Sequence, residues 1–239
     1  MAHVRTFLSQ KGGVGKSTMT VNTSAVEAQV HADPDDESSA SSPVACVSVD
    51  PQGSAVWWSD RVEDLPFYII QAHDAQLGEL RQLNQLTGIK VVNVDTPGWL
   101  DLEGDANGDG LGDGAAADRL RAILEVSDEV IVPMLPEPLC FDPTARTIEK
   151  VLLPRNIPFR VVINNWDPRD GDAYLEQTKN FVKKSGWPLA RTVIRHYKVH
   201  TNASAEGLVV TEYKKNRVAL QAAEDFYKLA LELNAAGVR

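Results

Sequence analysis

The sequence predicts an α/β protein in which a doubly wound, mostly parallel sheet carries helices on both faces. Short runs that are apolar at nearly every position, such as VACVSV and EVIVPM, are typical of parallel strands whose two faces are both covered. Segments with helical periodicity separate these runs, as crossover connections require. With 239 residues and 43% hydrophobic content, the chain has enough core material that we expect residues 1–239 to fold as a single domain.

The predicted strands and helices alternate along the chain. Apolar, β-branched runs predict strands at VRTFL, VACVSV, FYIIQ, IKVVNV, EVIVPM and FRVVIN, and a further short strand near Thr192. Apolar residues that recur every three or four positions predict helices at about 17–30, 77–86, 115–126, 143–153, 173–184 and 218–233, with a short helix around Trp57. The first helix directly follows a glycine-rich loop, which is the starting point for the functional interpretation.

The net charge of −9 is distributed unevenly along the chain. Two segments without Lys or Arg hold many of the acidic residues: four lie within 33–37 and six within 101–118. Both segments are polar and contain turn-forming residues, so we expect exposed loops. The span 191–217 carries six Lys or Arg residues against two Glu, which makes it the candidate for contact with nucleic acid.

The segment 101–118 contains the beginning of a calcium-loop pattern. Asp105, Asn107 and Asp109 have the spacing of the first calcium ligands in such loops. The twelfth position is Ala116, however, where these loops have a glutamate that binds calcium through both oxygens. We therefore expect a flexible acidic insertion rather than a calcium site.

Several other classes of protein are disfavoured by composition. The two cysteines, Cys46 and Cys140, lack the spacing of a disulfide framework or a zinc site. The first residues, MAHVRTFLSQ, do not have the pattern of a secretion signal, and no stretch reaches the ~18 apolar residues of a membrane-spanning helix. These features predict a cytoplasmic protein without a membrane partner.

The segment SQKGGVGKST, residues 9–18, has the composition and the setting of a phosphate-binding loop. It follows a predicted strand and precedes a predicted helix, so backbone N–H groups and the positive end of the helix would face an anion. We expect Lys16 to reach the β- and γ-phosphates of a nucleotide, Ser17 to bind Mg²⁺ and Thr18 to contact the α-phosphate. The residues expected to bind the nucleotide in this loop are Gly12, Gly13, Val14, Gly15, Lys16, Ser17 and Thr18.

Two details of the loop resemble the deviant Walker A motif of the ParA/MinD family of P-loop ATPases. Gln10 stands where a strict Walker A motif has its first glycine, and Lys11 is an additional lysine. In that family the additional lysine reaches across a nucleotide-sandwich homodimer to the phosphates bound by the other subunit. The resemblance therefore implies ATP and Mg²⁺ as cofactors, catalytic roles for Lys11 and Lys16, and a homodimer that depends on ATP.

Two aspartates stand where this family has its switch and Walker B motifs. VSVDPQ places Asp50 after the second predicted strand, where the resemblance implies that this catalytic residue positions or activates the attacking water. IKVVNVDTPG ends in a strand-end Asp95, which by the same resemblance holds Mg²⁺ through water. Ser17, Asp50 and Asp95 thus form the expected metal site. An aspartate at a strand end can also simply stabilise a turn, and for each aspartate this alternative stays open.

Asn164 follows the sixth predicted strand and matches the adenine-contacting asparagine of the family. Asn165 adjoins it, so the residue in question is Asn164 or Asn165. All these groups follow the carboxyl ends of predicted strands, which is where open parallel sheets bind ligands.

Within the family, the chain looks most like the small plasmid-partition ParA proteins, in segments such as LPEPLCFDPTARTIEKV and DPQGSAVWWSDR. This resemblance implies nucleoid association, non-specific DNA binding, and slow ATP hydrolysis stimulated by a centromere-binding ParB-type adaptor, which together segregate plasmids or chromosomes. A positioning ATPase for another cargo, such as a carboxysome or a chemoreceptor cluster, is the alternative. A MinD-like membrane-cycling ATPase fits less well because the tail LALELNAAGVR is not basic. ATP-driven chemistry on a small molecule would need a second catalytic pocket, and no motif indicates one.

Non-specific DNA binding requires Lys and Arg residues on one face of the protein. The sequence leaves open whether the basic span forms such a face or an ordinary charged rim. The candidate DNA-binding residues are Arg191, Arg195, Lys198, Lys214, Lys215 and Arg217.

Overall fold

A parallel β-sheet forms the centre of the computed structural model, which describes residues 1–32, 42–59, 65–99, 108–213 and 216–236. The strands in these ranges are β1 His3–Phe7, β2 Val44–Ser48, β3 Tyr68–Gln71, β4 Val91–Asp95, β5 Glu129–Met134 and β6 Phe159–Ile163. All neighbouring strands are parallel, and their order is β3-β2-β4-β1-β5-β6. Because β1 lies in the middle, the chain winds outward in both directions, and the predicted doubly wound α/β fold is confirmed.

Helices cover both faces of this sheet. The α-helices are α1 Lys16–His31, α2 Ser54–Ser59, α3 Leu77–Leu80, α4 Ala115–Leu124, α5 Phe141–Arg146, α6 Ala173–Lys184, α7 Lys198–Ala205 and α8 Arg217–Ala236. On one face, Phe226 of α8 packs in a cluster with Phe7 and Ile131 of the sheet, and α1 and α7 join it. On the other face, Leu120 of α4 packs with Val132, and α3, α5 and α6 complete the layer. Among the described helices, none combines the length and the apolarity that crossing a bilayer requires.

A buried ion-pair network connects the sheet to α1. Arg5 of β1 is 1% exposed, pairs with Glu27 of α1, and donates from Nε to Glu129 of β5 at 3.2 Å. Asn93 of β4 donates to Oε2 of Glu27 at 2.6 Å. Burial alone would lower the pKa of Arg5, but the charges of Glu27 and Glu129 outweigh burial and raise the pKa. The network therefore joins three strands to one helix through two carboxylates, a guanidinium and an amide that face the interior.

The prediction of a short strand near Thr192 is wrong. The chain makes isolated parallel bridges to β6 and to the residues after β6 instead of a strand. The backbone N–H groups of Arg191 and Thr192 donate to the carboxylate of Glu232 in α8 at 2.9 and 3.0 Å. Because Glu232 accepts these hydrogen bonds, the two groups are not available to extend the sheet.

Three helical regions differ from the sequence prediction. The helix expected at about 143–153 begins at Phe141 as α5 and continues as a π-helix over Thr147–Leu152. The helix expected at about 77–86 is α3 followed by a 3-10 turn, Leu83–Gln85. α7 was not predicted, because Lys198–Ala205 contains few apolar residues and has a weak helical pattern.

Arginines anchor the described part of the acidic insertion. Asp109 accepts hydrogen bonds from Nε and Nη2 of Arg121 at 2.8 and 2.9 Å, and from Nη2 of Arg155 at 2.6 Å. The hydrogen bonds from Arg121 lower the pKa of Asp109 to about 2. Asp109 thus fastens the insertion to α4 and to the chain after the π-helix. Residues 100–107 and the acidic residues of 33–37 lie outside the described residues.

Candidate nucleotide-binding site

The loop between β1 and α1 borders an open cleft of about 570 Å³ at the carboxyl edge of the sheet. Gly13 and Gly15 have φ angles of 75° and 85°, left-handed values that glycine adopts without strain. Gly15 is the N-cap of α1, so the positive end of that helix points into the loop. The cleft is lined by Gln10, Gly12, Gly13, Gly15, Lys16, Ser17, Thr18, Asp50, Gln52, Ser54, Pro97, Gly98 and Trp99. Among the predicted nucleotide-binding residues, Val14 and Asn164 do not line it.

Asn164 holds the loop against the end of β6. Its Nδ2 donates to the carbonyl of Val14 at 2.7 Å, and Val14 itself packs its side chain into the core. A Cβ atom at Gly15 would overlap the amide of Asn164. Asn165 has a left-handed φ of 60°, and its Oδ1 lies 2.6 Å from Nδ1 of His196. Of the two asparagines, Asn164 therefore faces the phosphate loop, while the contact with adenine stays a prediction.

The ammonium of Lys16 lies inside the loop. Lys16 is 7% exposed, and its Nζ lies 3.4 Å from the carbonyl oxygens of Ser9 and of Lys11. Burial lowers the pKa of Lys16, and the charges of Asp95 and Asp50 act in the opposite direction. A buried ammonium held by two long hydrogen bonds is suited to an anionic ligand, because a phosphate would supply stronger charge-assisted bonds.

The carboxylate of Asp95 is suited to bind a cation. It ends β4 and is fully buried, and neither carboxylate oxygen accepts a well-formed hydrogen bond from a described residue. Burial raises the pKa of Asp95 to about 7, although the Ser17 hydroxyl lies near enough to lower the pKa in part. Carboxylate and hydroxyl oxygens are ligands that Mg²⁺ prefers. Asp95 and Ser17 therefore fit a magnesium ion beside the phosphate loop.

Asp50 lies at the cleft and also stabilises a turn. Its Oδ1 accepts a hydrogen bond from the N–H of Gln52 at 2.9 Å, and its carbonyl accepts one from Gly53 at 3.0 Å. The negative charge of Asp50 contributes to the raised pKa of Asp95, so the two carboxylates interact. The turn and the position in the cleft are compatible, and the roles of Asp50 toward water and metal stay predictions.

Lys11 does not line the cleft of its own chain. Its Nζ lies 4.0 Å from Oε2 of Glu137, just before the 3-10 turn Pro138–Cys140. The two side chains are 27% and 54% exposed, so water and salt screen this pair, which contributes little to stability. The side chain of Lys11 is therefore held loosely at the entrance of the loop.

Sequence reasoning overlooked Trp99, although it directly follows the DTPG turn. The backbone N–H of Trp99 donates to the carbonyl of Gln10 at 3.2 Å. Gly98 runs so close to the loop that a Cβ atom there would lie 3.1 Å from Gln10 O and from Gly12 N. The segment after β4 is therefore in direct contact with the phosphate loop.

Arg191 and Arg195, two of the DNA candidates, lie beside acidic residues. Arg195 forms hydrogen bonds with both carboxylate oxygens of Asp225, from Nε at 2.9 Å and from Nη2 at 2.7 Å. Arg191 is 89% exposed and lies 3.8 Å from a carboxylate oxygen of Glu232. Arg195 is thus paired with Asp225 within the protein, whereas the guanidinium of Arg191 is exposed to solvent.

The remaining DNA candidates lie at or before the starts of two helices. Lys198 begins α7 and Arg217 begins α8, and both residues are exposed. Lys214 and Lys215 lie outside the described residues. That these cations contact DNA together stays a prediction.

Two curated proteins resemble the chain over most of its length. The maintenance of carboxysome distribution protein A from Gloeobacter kilaueensis is 32% identical over 228 residues, which are 95% of this chain and 92% of the relative. The protein of the same name from Halothiobacillus neapolitanus is 27% identical over 207 residues, which are 84% of this chain and 82% of the relative. No protein-family model matches the chain.

Solved structures with the same fold include nucleotide-binding ATPases. The MinC:MinD cell division complex of Aquifex aeolicus has a TM-score of 0.72 at 14% identity, with 98% of this chain and 96% of that chain covered. MinD of Pyrococcus horikoshii with Mg-ADP has a TM-score of 0.68 at 19% identity, with 100% and 98% covered. A Cyanothece McdA variant in complex with ATP has a TM-score of 0.65 at 13% identity, with 96% of each chain covered. At these identities the likeness shows the fold alone.

The function expected from the resemblance to plasmid-partition proteins is wrong. Segregation of plasmids or chromosomes with a ParB-type adaptor does not fit, because both curated relatives carry the name of a carboxysome-distribution protein. The phosphate loop and the segments around Asp50 and Asp95 were interpreted as nucleotide-handling motifs, and such motifs do not distinguish one cargo from another.

The comparison with the Gloeobacter protein goes beyond a shared fold, because 32% identity extends over almost the whole of both chains. The parallel sheet and the cleft at its carboxyl edge agree with that relationship. The chain therefore belongs to the family of the maintenance of carboxysome distribution protein A, and it has the fold of the MinD and McdA structures.

Proposed function

We propose that residues 1–239 act as one ATPase unit that distributes carboxysomes over nucleoid DNA. The proposal is carried by the 32% identity with the carboxysome-distribution protein of Gloeobacter kilaueensis over 95% of the chain. In this proposal, ATP and Mg²⁺ close a homodimer, the dimer binds DNA without sequence preference, and a cargo-bound partner stimulates hydrolysis of ATP to ADP and phosphate. The released subunits then exchange their nucleotide and bind again elsewhere.

The cleft supports the nucleotide part of the proposal. Bound Mg²⁺ would neutralise charge on the β- and γ-phosphates, with Ser17 and Asp95 as the residues that hold it. Lys16 would exchange its contacts with the carbonyls of Ser9 and Lys11 for contacts with phosphate oxygens. Asp50, which lines the same cleft, would orient the water that attacks the γ-phosphate.

The position of Lys11 supports an ATP-dependent dimer. Its side chain lies outside the cleft of its own chain, and in the described part of the chain a weak ion pair with Glu137 holds it. In a dimer with the two clefts face to face, this ammonium would reach the phosphates of the other subunit, which is the deviant Walker A arrangement. A cation placed there would stabilise charge that develops during phosphoryl transfer.

The basic residues near the C-terminus support the DNA part of the proposal. Arg191, Lys198 and Arg217 are exposed, and the last two begin helices whose N-termini carry partial positive charge. Charges of this kind bind phosphates without regard to base sequence and release counterions as they do so. Arg195 would contribute indirectly, because its pair with Asp225 holds the segment that precedes α7.

Lys11→Ala is expected to retain ATP binding but to lose ATP-dependent dimerisation, DNA binding and turnover. The wild-type protein should dimerise and shift random-sequence DNA with ATP but not with ADP, and the shift should weaken steeply with salt. Light scattering with a non-hydrolysable ATP analogue and gel shifts measure both properties. Lys184→Ala, which removes an exposed lysine at the end of α6, is the matched control. Dimerisation of Lys11→Ala at the wild-type level would rule out the role in trans.

Deletion of the gene in its host is expected to leave carboxysomes clustered instead of evenly spaced. The wild-type gene should restore the spacing, and Lys11→Ala should not, because its product cannot assemble with ATP. Fluorescence microscopy of a labelled carboxysome shell protein measures the distances between neighbouring particles. Evenly spaced carboxysomes in the deletion strain would contradict the proposed cargo.

A further inference from the structure

Both peptide groups of Gln10, the residue before Lys11, are fixed by hydrogen bonds. The N–H of Gln10 donates to Oγ1 of Thr147 at 3.1 Å. The carbonyl of Gln10 accepts the N–H of Trp99 at 3.2 Å. Because one bond holds each side of the same Cα atom, the φ and ψ angles of Gln10 are restrained from two directions. The direction in which the chain enters Lys11 is restrained with them.

Thr147 stands where its helix becomes irregular. It is fully buried at the junction where α5 passes into the π-helix Thr147–Leu152. Its hydroxyl donates to the carbonyl of Pro143 at 2.8 Å, which leaves an oxygen lone pair for the N–H of Gln10. A π-turn changes the direction of the following side chains, and such turns are frequent at functional sites.

Trp99 is held by the acidic insertion as well as by the loop. Its indole Nε1 donates to the carbonyl of Gly110 at 2.9 Å. Gly110 in turn lies directly on the π-helix, since a Cβ atom there would be 2.7 Å from Cβ of Lys150. Arg155 fastens the acidic insertion to the π-helix, because it donates to Asp109 at 2.6 Å and to the carbonyl of Val151 at 2.9 Å.

These contacts form a closed ring. It runs from Gln10 to Thr147, along the π-helix to Gly110, through the indole of Trp99, and back to Gln10. The ring links the phosphate loop, the segment after β4 and the acidic insertion. The ring therefore connects each of these three places to the peptide group that precedes Lys11.

We propose that Thr147 and Trp99 are positioning residues that set the placement of Lys11 through the backbone of Gln10. This inference rests on the proposed function of Lys11 in the dimer. The ion pair with Glu137 is too weak to fix the side chain, so the backbone, which sets the direction of the Cα–Cβ bond, determines the region that the ammonium can reach. An error of about 1 Å in the placement of a catalytic group can lower a rate by roughly 100-fold.

Thr147→Val tests the contact with Gln10 and keeps the shape of the side chain. We expect kcat for ATP to fall about tenfold and ATP-dependent dimerisation to weaken, with KM for ATP within about twofold of wild type, because Lys16 and Ser17 are untouched. Thr147→Ser retains the hydroxyl and should restore both properties. Thr178→Val is the matched control: Thr178 is buried in α6, and its hydroxyl has no hydrogen-bond partner among the described residues.

Hydrogen exchange at Gln10 provides a readout that does not depend on ATP hydrolysis. The amide of Gln10 should exchange faster in Thr147→Val than in wild type, and at the wild-type rate in Thr147→Ser and in Thr178→Val. If the wild-type protein neither dimerises nor turns over ATP, the proposed function fails while this exchange pattern still reports on the contact. If the wild type is active and Thr147→Val matches it in kcat and exchange, the inference is overturned.

Gly98→Ala probes the other side of Gln10, in case Thr147→Val does not fold. Gly98 has no positive φ, so alanine brings no backbone strain, but its Cβ atom would press on Gln10 O and Gly12 N at 3.1 Å. We expect a lower kcat and reduced dimerisation in this variant, which should still fold because the contact is only a few tenths of an ångström too short. A wild-type kcat in Gly98→Ala, together with failure of Thr147→Ser to restore activity, would also overturn the inference.

Discussion

Lys16→Met is expected to weaken ATP binding by about 100-fold or more and to reduce ATP hydrolysis below detection. The ammonium of Lys16 is the buried cation inside the phosphate loop, and a preorganised donor of this kind contributes strongly where charge develops. Methionine preserves the length and the apolar stem of the side chain. Titration calorimetry with ATP and Mg²⁺ measures the affinity, and a coupled phosphate assay measures the turnover.

The same substitution should not lower the melting temperature. Burial lowers the pKa of Lys16, which means that the folded protein disfavours the charged form relative to the unfolded chain. Removing the charge therefore removes a source of instability in the protein without nucleotide. Lys184→Met, at an exposed position, is the control for the loss of a lysine. ATP affinity within threefold of wild type would show that the loop does not hold the phosphates.

Arg5→Met is expected to lower the free energy of unfolding by about 3–5 kcal/mol. Among the described residues, the substitution leaves Asn93 as the one strong partner of the buried Glu27 carboxylate, and an uncompensated buried charge is costly. Urea unfolding followed by circular dichroism measures the loss. Arg81→Met is the matched control, because the pair of Arg81 with Glu125 is exposed and should contribute little.

A second substitution tests the cause of this instability. Replacing Glu27 by Gln in the Arg5→Met background removes the unpaired charge, so part of the lost stability should return. If Arg5→Met is as stable as wild type, the buried pair does not support the fold. If the double variant is less stable than Arg5→Met by a full further increment, the two residues act independently and the network is not a unit.

The fold was predictable because its strands are continuous apolar runs, and the phosphate loop was predictable because its glycines have a fixed spacing. The failed strand near Thr192 shows the limit of such patterns, since the carboxylate that takes its backbone N–H groups belongs to Glu232, far along the chain. The pairing of Arg5 with Glu27 and Glu129 is equally invisible, because it depends on which strands become neighbours.

The candidate site could be predicted in its parts but not in its connections. Asn164 and Asn165 are adjacent and chemically identical, so the sequence does not reveal that Asn164 contacts Val14 of the loop while Asn165 contacts His196. Trp99 was missed because an aromatic residue after a turn has no motif of its own. The cargo could not be derived from the loop, since the residues that handle phosphate are indifferent to what the ATPase moves.

The fit between Gly15 and Asn164 has a consequence for how this family can vary. A side chain at position 15 would need the space that the Asn164 amide occupies, and a shorter residue at position 164 would give up the bond to Val14. A substitution at either position alone would loosen the phosphate loop from β6. The residues at these two positions, 149 apart in the sequence, are therefore expected to vary together among members of the family.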